Sequence, residues 1–263
     1  MAEVLVTGGS GVLGTAVVPV LRAAGHRVRV LSRTAGDARV VGDLATGAGI
    51  AAAVAGVEII VHAASSPGRH ARAVDVEGTD RLVTAARDAG VGHLLHVSIT
   101  GVDRIPYSYY QAKFAAEQVV AGSGIPYTVL RAAQFHPFVA LLLAGLHRVP
   151  VLPVPRGWRL EPVAAADVAE RVNQRVAAGP AGAVEEFAGP EVLTLGEVAR
   201  AWLAARHRPA LVVGVPVPGR VSAALRAGAN LVAADAPRGR LTWESWLASP
   251  AVATELAQYR RRR

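Results

Sequence analysis

The stretch VTGGSGVLG at residues 6–14 constrains the fold of this chain more than any other. It follows a β-branched run, AEVLV at 2–6, and opens an apolar helical pattern, with Gly8, Gly11 and Gly14 three residues apart. Glycine just after a strand permits positive φ, glycine at the helix start lets backbone approach a pyrophosphate, and a third glycine lets helix and strand pack closely. The helix N-terminus then offers free amides and its positive dipole end to phosphate oxygens. A glycine triplet alone also fits a merely tight turn. Its strand-turn-helix setting favours a dinucleotide site made of Thr7, Gly8, Gly9, Ser10, Gly11, Val12, Leu13 and Gly14.

The next hundred residues repeat the theme. Short β-branched runs at 27–31, 39–41, 57–62, 93–98, 126–130 and 184–188 alternate with Ala-rich amphipathic stretches, the pattern of parallel strands joined by crossover helices. Gly25 and Gly90 stand where helix C-caps want glycine, and Pro19 should bend the first helix. After residue 131 the alternation gives way to aromatic, Pro-rich text, QFHPFVALLLAGLHRVPVLPVPRGWRLEP. Asp167 and Glu170 read as a capping box for a helix over 168–178, and VVGVPVP at 212–218 as an extended segment. The expected architecture is α/β: a Rossmann-type, doubly wound parallel sheet of about seven strands. Residues 1–131, rejoined by 162–190, form the nucleotide-binding domain; 132–161 and 191–263 form a smaller substrate-binding lobe.

Composition narrows the function classes. Cysteine is absent from the 263 residues, which removes disulfides, thiolate metal sites and Cys nucleophiles and is compatible with the cytoplasm, the expected location. No metal site is expected. Residues 1–7 lack a basic leader, and the apolar run FVALLLAGL (138–146) is far shorter than the ~20 residues that cross a bilayer, so a soluble, unprocessed protein is expected. The net charge of +8 raises nucleic acid as a partner. Its arginines are scattered singly, however, except for Arg260–Arg263, which reads as a solvated tail or a charge on a helix C-terminus. Small molecules, not nucleic acid or membrane, are the expected partners.

The end of the second strand decides which dinucleotide is held, because an acid there bonds a ribose 2′-hydroxyl whereas a cation suits a 2′-phosphate. LSRTAG supplies Ser32 and Arg33 and no acid, which favours NADP(H) over NAD(H). In a chain so rich in arginine, Arg33 also reads as one more solvated cation. Asp43 and Leu44 are candidates for the adenine edge. His62, Ala63 and Ala64 close the fourth strand, where small residues leave room for the dinucleotide.

Lys113 is the only lysine in the chain, and Tyr109 precedes it by four residues. With five tyrosines in 263 residues, chance places one there about 2% of the time. Ser108, three residues before Gln111, is suited to cap a helix on which phenol and ammonium share a face. A nearby ammonium favours the phenolate and lowers the phenol pKa, bringing Tyr109 toward acid-base work. Its three donors also suit a nucleotide ribose, which arginine's wide fork would not. The bland reading pairs Lys113 with Glu117 one turn on. Tyr110 competes with Tyr109 at i,i+3 spacing.

Taken together, TGGSGVLG (7–14), DVEGT (75–79), HVSIT (96–100), Tyr109-x-x-x-Lys113, SGIPYTVLRAAQFH (123–136) and EPVAAADVA (161–169) resemble the short-chain dehydrogenase/reductases, in their extended and atypical, NmrA-like branch. The resemblance spans roughly residues 1–190. It implies a seven-stranded parallel sheet, NADP(H), and hydride transfer to a carbonyl, quinone or conjugated substrate with tyrosine as the acid. The family's catalytic hydroxyl after the fifth strand matches Thr100 by offset, with Ser98 as the second choice. Both residue types also commonly satisfy backbone at a strand end. Gln134, Phe135, His136, Phe138 and Trp158 are candidate substrate contacts, although aromatic residues in such a stretch also serve plain packing. The alternatives are a non-catalytic NADP-binding redox sensor and a sugar epimerase. Either a monomer or a homodimer fits.

Overall fold

The computed structural model describes residues 1–68, 70–148 and 150–260, without the side chain of Arg260. Seven strands form one parallel sheet: β1 (Glu3–Thr7), β2 (Arg27–Ser32), β3 (Arg39–Val41), β4 (Ile59–His62), β5 (His93–Ile99), β6 (Tyr127–Ala132) and β7 (Ala183–Phe187). Their order is β3-β2-β1-β4-β5-β6-β7. Each coincides within a few residues with a run expected from sequence, because a strand buried on both faces reads as a short continuous apolar run. In β1, Val4, Leu5 and Val6 are fully buried.

The strand order reverses between β1 and β4, which pair in register from Val4 with Ile59 to Thr7 with His62. A crevice opens beyond the C-terminal ends of strands at such a point, and ligands bind there in open α/β sheets. Crossover helices α1 (Val12–Ala23), α2 (Ile50–Val54), α3 (Glu77–Asp88), α4 (Ser108–Ala121), α5 (His136–Leu146) and α6 (Ala165–Ala178) follow. Two apolar clusters cover the sheet. One joins α1 and α6 through Val17, Leu21, Val168 and Val172; the other joins α2 and α3 through Ile50, Leu82 and Val83.

A third cluster lies off the sheet, where α5, strand 151–155 and α7 (Leu195–Ala205) meet Trp243 and Trp246. Strand Leu211–Val215 pairs in parallel with Val151–Pro155 and closes this lobe. A last helix, Ala251–Arg260, lies against α5 and α1. Among the described residues no helix is long and apolar enough to cross a membrane. Arg261–Arg263, most of the terminal arginine run, lie outside the described residues.

Two local expectations are corrected. Asp167 does not cap α6, which begins earlier with Ala164 as its N-cap. Its Oδ2 instead accepts the amides of Arg240 and Leu241 at 2.9 and 3.0 Å, pinning the returning C-terminal segment to the helix. Ser108 is the first residue of α4 rather than its cap, and Tyr107 precedes the helix without a side-chain capping bond. A reciprocal capping box does occur, at Thr194 and Glu197.

Candidate active site

The glycine turn is held by its own backbone. Gly11 N–H donates to the Gly8 carbonyl at 2.8 Å, and Thr15 N–H to that of Gly11 at 2.8 Å. Gly8 has φ +69°, and a Cβ on it would come within 2.6 Å of the Ala63 carbonyl oxygen and 2.7 Å of Ala64 Cα. A Cβ on Gly14 would strike the backbone of Gly8 and Gly9. Both glycines therefore bring backbone to backbone where a side chain would keep them apart. The first turn of α1 carries no acidic residue, so its N-terminal amides face the crevice without a resident anion. A cradle of this shape and polarity fits a dinucleotide pyrophosphate.

At the end of β2, Ser32 Oγ accepts the Thr34 amide at 3.2 Å, and Arg33 is exposed. Arg39, at the start of β3, reaches Thr34 Oγ1 at 3.4 Å, so a second guanidinium stands near this turn. Asp43 Oδ1 accepts the Ala45 amide at 2.9 Å, shaping the loop, and Leu44 is buried.

Thr7 and His62 sit at the switch point, but their side chains turn inward. Thr7 Oγ1 and His62 Nδ1 are 2.7 Å apart, His62 Nε2 and Thr79 Oγ1 2.9 Å, and both residues are fully buried. Burial, helped by the Lys113 charge, pushes the imidazole down to about 3. It is a neutral clamp joining β1, β4 and α3. Ala63 and Ala64 beside it bring their backbone directly against Gly8 of the glycine turn.

Tyr109 and Lys113 share α4, as their spacing requires, yet they do not meet as the sequence suggests. The Tyr109 hydroxyl lies 2.6 Å from Ser65 Oγ, on the loop after β4. Ser65 in turn donates to Asp75 Oδ1 at 2.6 Å, while Asp75 Oδ2 accepts the Ser66 amide at 3.0 Å. Lys113 points past the phenol into the protein. Its Nζ is 3.7 Å from Asp75 Oδ1 and donates to the Val97 carbonyl at 3.0 Å and to His96 Nε2 at 3.4 Å. Burial lowers the Lys113 pKa, and the Asp75 charge opposes that shift. The expected lowering of the Tyr109 pKa is reversed: burial, then the Asp75 charge, raise it, against the Ser65 hydrogen bond.

The bland pairing of Lys113 with Glu117 gives way to another. Glu117 forms a bidentate pair with Arg131 on β6 at 2.7–3.2 Å, and Arg131 also reaches Asp103 at 2.9 Å. Sequence reading did not single out Ser65, Asp75 or Arg131. Asp75 stood inside the DVEGT motif, but only the fold shows that it faces Ser65 and Lys113, because it lies on the turn leading into α3.

Ser98 on β5 and Thr100 just past its end are both buried. Thr100 Oγ1 donates to the Arg131 carbonyl at 3.3 Å, satisfying backbone between β5 and β6. Ser98 Oγ is buried without a hydrogen-bond partner. Of the proposed substrate contacts, Gln134 donates to the Tyr110 hydroxyl at 3.4 Å, linking the end of β6 to the start of α4. Phe135 packs against the sheet core, and exposed Phe138 faces Tyr259 of the last helix at 6.3 Å. His136 is a core residue: fully buried, it donates to the Pro162 carbonyl at 3.1 Å and packs on Trp243 and Trp246. Trp158 edges the lobe core and donates to Ser222 Oγ at 3.1 Å.

Comparison with known proteins agrees with this geometry. Residues 8–137 match the NAD(P)H-binding family. A 3-beta-hydroxysteroid dehydrogenase of Mycolicibacterium neoaurum is 31% identical over 158 residues, covering 46% of this chain and 43% of that protein. An NAD(P)H azoreductase of Xenophilus azovorans is 29% identical over 227 residues, 81% of this chain and 77% of that one. The chain spans less than half the length of the first curated relatives it matches. Among solved structures, an NADPH-dependent quinone oxidoreductase of Escherichia coli in complex with NADPH aligns with a TM-score of 0.80. Its identity is 18%, over 94% of this chain and 99% of that one. Residues 8–137 thus form an NAD(P)H-binding Rossmann domain, and the fold of the whole chain is shared with an NADPH-dependent quinone oxidoreductase and a nucleoside-diphosphate-sugar epimerase.

Proposed function

We propose that the protein is an NADPH-dependent reductase that delivers hydride to a carbonyl, quinone or conjugated carbon of a small molecule, with Tyr109 as general acid. The observation that carries this reading is the Tyr109 hydroxyl, held 2.6 Å from Ser65 on the loop that follows Ala63 and Ala64 at the rim of the crevice. A phenol hydroxyl presented beside a dinucleotide cradle is placed to give its proton to a reduced oxygen.

When bound, a reduced nicotinamide supplies the hydride. Gly8 to Gly14 and the N-terminal amides of α1 hold the pyrophosphate. Arg33, with Arg39 close by, takes the 2′-phosphate through planar donors. Tyr109 orients the accepting oxygen and protonates it, while Gln134 and Tyr110 line the approach from the lobe after residue 131. That lobe selects the substrate. Thr100, whose hydroxyl is committed to Arg131, ranks below Ser98 as an additional hydroxyl. The tyrosine favours this reading over a non-catalytic redox sensor, and the absence of an acid at the β2 turn disfavours an NAD-retaining epimerase.

The experiment is a screen of NADPH consumption at 340 nm across quinones, ketones, enones and azo dyes. Turnover of at least one class is expected. Tight NADPH binding with no consumption across the panel would support the sensor instead.

A further inference from the structure

We propose that Ser65 is a positioning residue that acts as a hydroxyl switch. Its hydroxyl donates a hydrogen bond to Asp75 while Tyr109 is neutral, and donates to Tyr109 instead once the phenol has lost its proton, the Ser65 O–H bond staying intact throughout. This rests on reading Tyr109 as the acid, and it assigns a role to two residues outside the Tyr109–Lys113 pair.

The argument starts from donor counting. A serine hydroxyl has one proton and two acceptor lone pairs. Ser65 Oγ stands 2.6 Å from Asp75 Oδ1 and 2.6 Å from Tyr109 Oη. A carboxylate only accepts, so Ser65 spends its proton on Asp75 and must accept from Tyr109. In this state the phenol is held as a proton donor. When Tyr109 protonates a substrate oxygen, its O–H bond breaks and a new one forms on the substrate. Rotation of the Ser65 hydroxyl then brings its proton toward the phenolate, and no proton leaves Ser65.

Asp75 can release Ser65 because it keeps other partners. Its second oxygen holds the Ser66 amide at 3.0 Å, and Lys113 Nζ stands 3.7 Å from the first. Lys113 therefore acts on the phenol through Asp75 and Ser65. Among the described residues, Tyr107 and Tyr110 also face Tyr109, with ring centroids at 6.4 and 6.3 Å, as does Tyr259 from the last helix. None of these carries a carboxylate. Asp75 and Ser65 should thus pull the phenol in opposite directions: the negative charge favours the protonated form and the hydroxyl favours the phenolate.

The test needs no substrate. A difluorotyrosine, more acidic than tyrosine, is installed at position 109 of the full chain and titrated by fluorine NMR, cofactor-free. Ser65→Ala should raise its midpoint, Asp75→Asn should lower it, and Ser65→Thr should restore the wild-type value. An unmoved midpoint in Ser65→Ala, or shifts of the same sign in Ser65→Ala and Asp75→Asn, would overturn the switch. If Asp75→Asn fails to fold, the Ser65→Ala and Ser65→Thr pair decides by itself. With a substrate in hand, Ser65→Ala should lower kcat about tenfold and leave the KM for NADPH unchanged. Full turnover by Tyr109→Phe alongside the expected NMR shifts would remove Tyr109 as the acid while leaving the Ser65 arrangement intact.

Discussion

The Lys113 ammonium stands 3.7 Å from the Asp75 carboxylate and donates to the Val97 carbonyl at 3.0 Å, so the chain's single lysine is consumed inside the protein. Asp75 is 1% exposed and Lys113 2%, and removing one member of such a pair strands the other charge in a poorly solvating interior. Lys113→Met is expected to cost about 3–5 kcal/mol of stability in a urea melt. Loss of activity in that variant must accordingly be read beside its unfolding curve.

Tyr109→Phe removes the hydroxyl and leaves the ring packing in place. In steady-state assays we expect kcat to fall roughly 100-fold or more, in the range of general-acid catalysis. NADPH affinity measured by fluorescence should stay nearly constant. Equal turnover would exclude Tyr109 from the proton transfer.

Arg33→Ala tests cofactor choice. The side chain is exposed at the end of β2, so its loss should leave the melting temperature within about a degree or two, as for ordinary surface changes. Binding of NADPH should weaken about tenfold or more, the worth of a charge-assisted contact, with NADH little affected. An unchanged ratio of the two affinities would count against a 2′-phosphate contact here.

Gly14→Ala places a methyl against the backbone of Gly8 and Gly9. Backbone cannot step aside as a flexible side chain does, so the turn must shift outward from α1. Calorimetry should show loss of NADPH binding, and thermal unfolding a destabilisation of about 1–3 kcal/mol.

The buried histidines make stability depend on pH. Burial holds His136 down to about 4 in the folded protein, against 6.5 for an ordinary imidazole. Between these values the unfolded chain binds a proton that the folded chain refuses, so stability is complete above pH 6.5 and declines as pH falls toward 4. That span corresponds to roughly 3 kcal/mol for His136, and His62, held at about 3, adds in the same direction. Urea melts at pH 7 and pH 5 should separate accordingly. The difference should shrink in His136→Gln.

Much of this fold was legible in the chain itself. A parallel strand covered on both faces must be a short run of β-branched and aliphatic residues, so VLV, VRV, IIV and LLHV declared themselves without reference to one another. The glycine turn was readable because its requirement is local: positive φ at Gly8 and close backbone approach at Gly14. Tyr109 and Lys113 were likewise placed on one helix by a spacing of four.

Tertiary structure alone decided what those residues touch. Helical spacing places two side chains on one face but cannot say that β5 and the turn before α3 present Asp75 and the Val97 carbonyl to the ammonium first. Asp167 looked like a cap because its neighbours allowed it; a segment more than seventy residues later supplied better-placed amides. His136 was legible either as a substrate contact or as a satisfied histidine, and two tryptophans from the far end of the chain pack against it in the core. Backbone conformation follows from near neighbours, whereas the partner of a buried charge or polar group is whichever complementary group the packing brings within bonding distance. That is a property of the assembled core, not of any stretch of sequence.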